Sequence, residues 1–142
     1  MIYLAYKDTC KTYGNLLAFE LMSDGYELTI VEPGKGEDWL DTIVKTVGYV
    51  QKDPVNNRAI LLDEDGTLPY IAACKQKGIV AAQLFDEHTA KMTRAHNNTS
   101  VISLGAGITA LDQMHILAKR FLESKYDGGR HQIRVDMLEV MA

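Results

Sequence analysis

The sequence predicts an α/β protein, a three-layer α-β-α sandwich with a five-stranded parallel sheet and a C-terminal helix. Two observations carry this. Short apolar runs alternate five times with segments of helical periodicity, and the connections between them are short. The chain is also 142 residues long with 46% hydrophobic and 24% charged residues, enough for one domain spanning 1–142 around a real core.

The first run, Ile2 to Tyr6, is apolar with two aromatics and reads as a buried strand. Leu16, Leu17, Phe19, Leu21 and Met22 follow at helical spacing, stopped by Ser23-Asp24-Gly25. Tyr26 to Val31 is a second strand, closed by Pro33-Gly34-Lys35-Gly36. Trp39, Leu40, Ile43, Val44, Val47 and Val50 mark an amphipathic helix, with Glu37 and Asp38 expected in its first turn to suit the dipole. After the turn at 53–57, Ala59 to Leu62 is the third strand, and Leu68 to Gln76 is a helix ending at Gly78. Ile79 to Leu84, Asp86 to Ala95, Val101 to Leu104 and Leu111 to Leu122 continue as strand, helix, strand and helix. Such alternation forms a Rossmann-like open sheet with right-handed crossovers, whose sites gather at the carboxyl ends of the strands. Here those ends are Lys7-Asp8-Thr9, Asp63 to Thr67, and Gly105-Ala106-Gly107.

A net charge of −4 argues against a general nucleic-acid binder. No apolar run approaches a membrane span and no signal peptide opens the chain, so a cytoplasmic setting is expected. Cys10 and Cys74 have no metal-like spacing and read as free thiols, Cys74 as a packing residue and Cys10 as a candidate nucleophile or base. His88 and His115 fall within helices as surface or partly buried fillers.

Three stretches could carry chemistry. Gly128-Gly129-Arg130-His131-Gln132-Ile133-Arg134 breaks the chain and opens a short amphipathic helix. Arg130 and Arg134, four apart, project from one face beside its start. Two guanidinium forks at a helix start make a seat for a phosphate, although solvated surface arginines have the same spacing. His96-Asn97-Asn98 ends the fourth helix, where it serves either as a cap and turn or as a proton-exchanging imidazole beside an amide that holds a sugar hydroxyl. Asp63-Glu64-Asp65 reads as a solvated loop. As a metal site it lacks a fourth ligand, though Asp8 can approach, and adjacent carboxylates repel a phosphate. A phospho-accepting receiver site would want Ser or Thr after strand four and Lys after strand five, where Phe85 and Gly105 stand.

The two motifs Met92-Thr93-Arg94-Ala95-His96-Asn97-Asn98 and Tyr126 to Leu138 resemble the sugar-phosphate isomerases of the ribose-5-phosphate isomerase B and galactose-6-phosphate isomerase family, most closely its A-type subunits. The resemblance implies interconversion of galactose 6-phosphate and tagatose 6-phosphate through an enediolate, with no metal and no cofactor. It implies that His96 helps open the sugar ring, that Asn97 holds hydroxyls or the developing oxyanion, and that Arg130 and Arg134 clamp the phosphate. In that family each site is shared between two subunits. Catalytic subunits carry an Asp-His pair after strand one, a Cys-Gly-Thr-Gly run after strand three whose cysteine is the base, and an arginine after strand five. This chain has Lys7-Asp8, Asp63-Glu64-Asp65-Gly66 and Gly107 there. The losses fit an A-type subunit that depends on a cysteine-bearing B-type partner. A sugar-phosphate-binding or structural homodimer without catalysis is the alternative, and a homomeric enzyme using Asp63 as base is a third.

Overall fold

A computed structural model describes residues 1–141; Ala142, the last residue of the expected domain, lies outside the described residues. Five parallel strands, β1 (Ile2–Tyr6), β2 (Leu28–Ile30), β3 (Arg58–Asp63), β4 (Ala81–Gln83) and β5 (Val101–Gly105), lie in the order β2-β1-β3-β5-β4. Six α-helices accompany them: α1 (Lys11–Ser23), α2 (Trp39–Gln51), α3 (Thr67–Cys74), α4 (Glu87–Asn97), α5 (Leu111–Glu123) and α6 (Gln132–Glu139). Every strand and helix expected from the sequence is present. The edge strands β2 and β4 are shorter than their apolar runs, because only their middle residues meet a neighbouring strand.

Side chains alternate across the pleat, so the sheet builds two cores. Leu4, Ile60, Leu62, Ile102 and Leu104 face Leu17 and Leu21 of α1 and Met114, Leu117 and Phe121 of α5. Ala5, Ala59, Leu61 and Val101 face Ile43, Val47 and Val50 of α2 and Ala72 and Ala73 of α3. The small residues Ala5 and Ala59 let the second layer of helices sit close.

Local chemistry sets the helix ends. Asp38 is the N-cap of α2 and forms a reciprocal capping box with Asp41, so Glu37 and Asp38 precede the first turn instead of lying in it. Asp86 caps α4 by accepting from the Thr89 amide at 2.8 Å. His115 is a structural pin between α1 and α5 and not a filler, since Nδ1 is 2.9 Å from Glu20 and Nε2 2.5 Å from Asp24. That contact, with Lys119 nearby, holds the Asp24 carboxyl below its ordinary value. Both cysteines are free. Cys74 is exposed, contrary to the packing role expected, and Cys10 is the buried one.

Candidate functional site

Helices in a parallel sheet run back from the carboxyl edge to the amino edge. The ends of α4 and α5 therefore both lie at the amino edge, and there the structure joins the two sequence motifs. The α4–β5 turn is held tightly. Asn98 adopts a left-handed conformation (φ 55°), the Thr93 and Thr99 hydroxyls are 2.6 Å apart, and buried Arg94 donates from Nη1 to the Thr99 carbonyl at 2.8 Å. Burial, with Arg58 nearby, brings the Arg94 guanidinium down to about 10. This frame presents His96 and Asn97 at a rigid helix end.

The second motif approaches from α5. The Asp127 amide donates to the Ala95 carbonyl at 2.9 Å, tying the segment to α4. Gly128 and Gly129 then both take positive φ, 63° and 57°, a pair of conformations that side chains rarely adopt. The reversal brings Arg130 and His131, in a 3₁₀ turn before α6, back over His96. The His96 and His131 rings stack with centroids 4.2 Å apart and planes 14° from parallel. Asp127 Oδ2 lies 4.0 Å from His96 Nε2.

His96, Arg130, His131, Ile133 and Arg134 line one cleft of about 510 Å³. The structure thus brings His96, Arg130 and Arg134, three of the residues singled out in the sequence, to one cleft. Two details differ. Arg130 stands in the 3₁₀ turn, outside α6, and only Arg134 lies on the helix. Asn97 is exposed and lines a neighbouring hollow of about 340 Å³ with Tyr70, Cys74 and Leu138. Asp127 and His131 were not singled out from the sequence. His131 lay within the quoted motif, but nothing in its spacing to His96 signals a ring stack.

Both arginines are exposed, and neither is in an ion pair among the described residues. With the phosphate-seat chemistry of paired guanidiniums, the cleft suits a phosphate monoester whose other end reaches His96. Burial and the positive neighbours His96, Arg130 and Arg134 lower the His131 pKa, while Asp127 opposes them.

The carboxyl edge is differently occupied. It includes the switch point between β1 and β3, where the connections diverge. Glu64 accepts from Thr9 Oγ1 at 2.5 Å and sits 3.3 Å from Lys7 Nζ, contacts that hold its carboxyl below the ordinary range. Asp63 belongs to β3 and is 4% exposed, so the loop is not simply solvated. Its Oδ1 accepts from the amides of Gly66 (2.6 Å) and Asp65 (3.2 Å), and its Oδ2 from Trp39 Nε1 (3.1 Å). Asp65 caps the Thr67 amide at 2.9 Å, and Gly107 donates its amide to the Glu64 carbonyl at 2.8 Å. Cys10 is buried, and that burial pushes its thiol pKa up, which disfavours a thiolate nucleophile or base. Asp63, Glu64, Asp65 and Cys10 are thus committed to structure or held in an unreactive form.

Residues 2–138 match the Ribose/Galactose Isomerase family. The chain belongs to that family. Among its relatives, the galactose-6-phosphate isomerase subunit LacA of Lactococcus lactis subsp. lactis is 43% identical over 85% of this chain and 84% of its own. The subunit of the same name from Streptococcus mutans is 42% identical over 95% and 89%. Among solved structures, ribose-5-phosphate isomerase B from Mycoplasma genitalium, with bound ribulose-5-phosphate, superposes with a TM-score of 0.89 at 26% identity, covering 97% of this chain and 93% of that one. The Clostridium thermocellum enzyme gives 0.87 at 27% identity, covering 97% and 94%. Family membership accounts for the shared architecture of this chain and the isomerases. No described helix is long and apolar enough to cross a membrane.

Proposed function

We propose that this chain is the A-type subunit of a galactose-6-phosphate isomerase, interconverting D-galactose 6-phosphate and D-tagatose 6-phosphate in the cytoplasm with a cysteine-bearing B-type partner. The observation that carries this is the cleft at the amino edge: two free arginines and an imidazole converge there, with no thiol or uncommitted glutamate among its lining.

Arg130 and Arg134 bind the phosphate and fix the sugar's register. His96 exchanges the proton of the ring oxygen as the hemiacetal opens, and Asn97 holds hydroxyls once the substrate spans from the cleft to its neighbour. The partner's cysteine removes the proton from carbon two. The electron pair of that bond becomes the carbon–carbon double bond of the enediolate, and oxygen one is protonated. Return of a proton to carbon one, with loss of the proton on oxygen two, completes the ketose.

A partner is needed for two reasons. The strand-end residues that could act as a base lie at the far edge of the sheet from His96, separated by roughly 15 Å of strand at about 3.3 Å per residue. In addition, α6 and its C-cap residue leave Ile133 (72% exposed), Met137 (59%) and Val140 (78%) uncovered, burying only Val135 inward. The amphipathic helix expected from the sequence therefore turns most of its apolar side chains away from this chain's own core. A second subunit seated there would cover them and bring its own strand ends to the cleft.

The alternative, a non-catalytic sugar-phosphate-binding homodimer, draws on one observation. The Lys7–Glu64–Thr9 cluster occupies the strand-end crevice, so a homodimer would present arginine clamps with no base opposite them. The deciding experiment assays galactose 6-phosphate isomerisation by this chain, by a B-type subunit, and by the two mixed. Turnover only in the mixture is expected. Absence of turnover with a proven partner favours the binding-only homodimer.

A further inference from the structure

We propose that His96, Asp127 and His131 form a binding site for a divalent transition-metal ion, zinc foremost, whose occupancy excludes sugar phosphate from the cleft. One ligand atom from each residue, two imidazole nitrogens and a carboxylate oxygen, lies within 4.8 Å of the others. Among the described residues this is the cluster of its kind. Zinc bonds of about 2.0–2.2 Å place tetrahedral donors about 3.3 Å apart, so the three atoms must close by up to about 1.5 Å. The means to close are present. The Asp127 side chain is 62% exposed and can turn, and the His96 ring, 40% exposed, must tilt out of its stack on His131 for both imidazoles to meet one ion, while the backbones stay tied by the Asp127 amide to the Ala95 carbonyl.

The donor set decides the class of ion. Two imidazoles and one carboxylate suit zinc, cobalt or nickel, and not magnesium or calcium, which demand mostly oxygen. Three protein ligands at an open cleft leave a fourth position for water or an anion. His115 also touches two carboxylates, but through opposite ring nitrogens, so its partners Glu20 and Asp24 do not converge with it on one point.

A bound ion would use a His96 nitrogen lone pair and draw Asp127 and His131 across the cleft. Arg130 and Arg134 line the same cleft and repel a cation, whereas they attract a phosphate. Metal and sugar phosphate therefore respond in opposite directions to the loss of an arginine. The metal site rests on geometry alone, whereas the exclusion of sugar phosphate rests on the proposed function.

The test is calorimetric titration of the metal-stripped full chain with zinc chloride, with cobalt substitution read by visible absorption. One ion per chain is expected. His131→Ala and Asp127→Asn should each weaken binding at least about tenfold, and His115→Ala should leave it unchanged. Arg130→Ala should tighten zinc binding while weakening that of galactose 6-phosphate, and galactose 6-phosphate should displace zinc from the unmodified chain. Zinc binding that survives both His131→Ala and Asp127→Asn, or no binding at millimolar zinc, overturns the site. Simultaneous binding of zinc and sugar phosphate overturns the exclusion.

Discussion

The imidazoles of His96 and His131, thirty-five residues apart in sequence, lie 4.2 Å apart centre to centre and 14° from parallel. That stack joins the end of α4 to the turn that carries Arg130. It fixes where the His96 imidazole stands relative to Arg130. The two elements it joins are rigid for separate reasons, the Arg94–Thr99 frame on one side and the Asp127–Ala95 bond on the other.

His131 should titrate below an ordinary histidine, because burial and the neighbouring cations disfavour its charged form. Between that lowered midpoint and the ordinary value, the unfolded chain binds more protons than the folded one. Stability from this group therefore rises with pH across the window and is lost as pH falls through it. Nuclear magnetic resonance titration of the ring reports the midpoint. Asp127→Asn should move it further down, since Asp127 is the group holding it up. A midpoint at or above the ordinary value contradicts this account.

Arg130→Ala should cost sugar-phosphate affinity in the assembled enzyme. A charge-assisted hydrogen bond contributes about 1.5–3 kcal/mol, which corresponds to a rise in KM of roughly ten- to a hundredfold. Arg130→Lys should recover only part of it, because an ammonium cannot offer the bidentate fork. An unchanged KM would remove Arg130 from the phosphate seat.

Asp63 should matter for folding and not for turnover. Asp63→Ala strands the Gly66 and Asp65 amides and the Trp39 indole N–H, a loss of about 1–3 kcal/mol that thermal unfolding would read as a Tm several degrees lower. Asp63→Asn should leave kcat of the mixed enzyme intact. Activity of the pure chain that vanishes in Asp63→Asn would instead make Asp63 the base.

The committed carboxyl edge sets the number of working sites. In the proposed pairing with a B-type subunit, a two-fold arrangement would set this chain's cleft against the partner's base and the partner's corresponding cleft against Lys7, Glu64 and Thr9. One turnover site per pair is the expected result. Titrating the assembled enzyme with a tight enediolate analogue should give one equivalent per pair, and two equivalents that both turn over would refute it.

The pattern of apolar runs was sufficient for the five strands, the helices and the sandwich, because strand and helix periodicities are local properties of the chain. The candidate cleft was only partly legible. Arg130 and Arg134 are visible as a spacing, and His96 as a polar helix end. Their meeting depends on the Asp127–Ala95 tie and the chain reversal at Gly128 and Gly129, which sequence order alone does not display. This cleft lies at the amino edge, while the acidic side chains at this chain's own strand carboxyl ends are engaged by Thr9, Lys7, Trp39 and backbone amides.

Periodicity determined the fold class, and motif spacing singled out Arg130 and Arg134 as a pair, since each is written within a few turns of the chain. Tertiary structure alone decided that His131 and Asp127 join His96, that Asn97 faces the neighbouring hollow, and that Asp63 is buried in hydrogen bonds. Those outcomes depend on distances between segments remote in sequence, and packing of the helices against the sheet sets such distances.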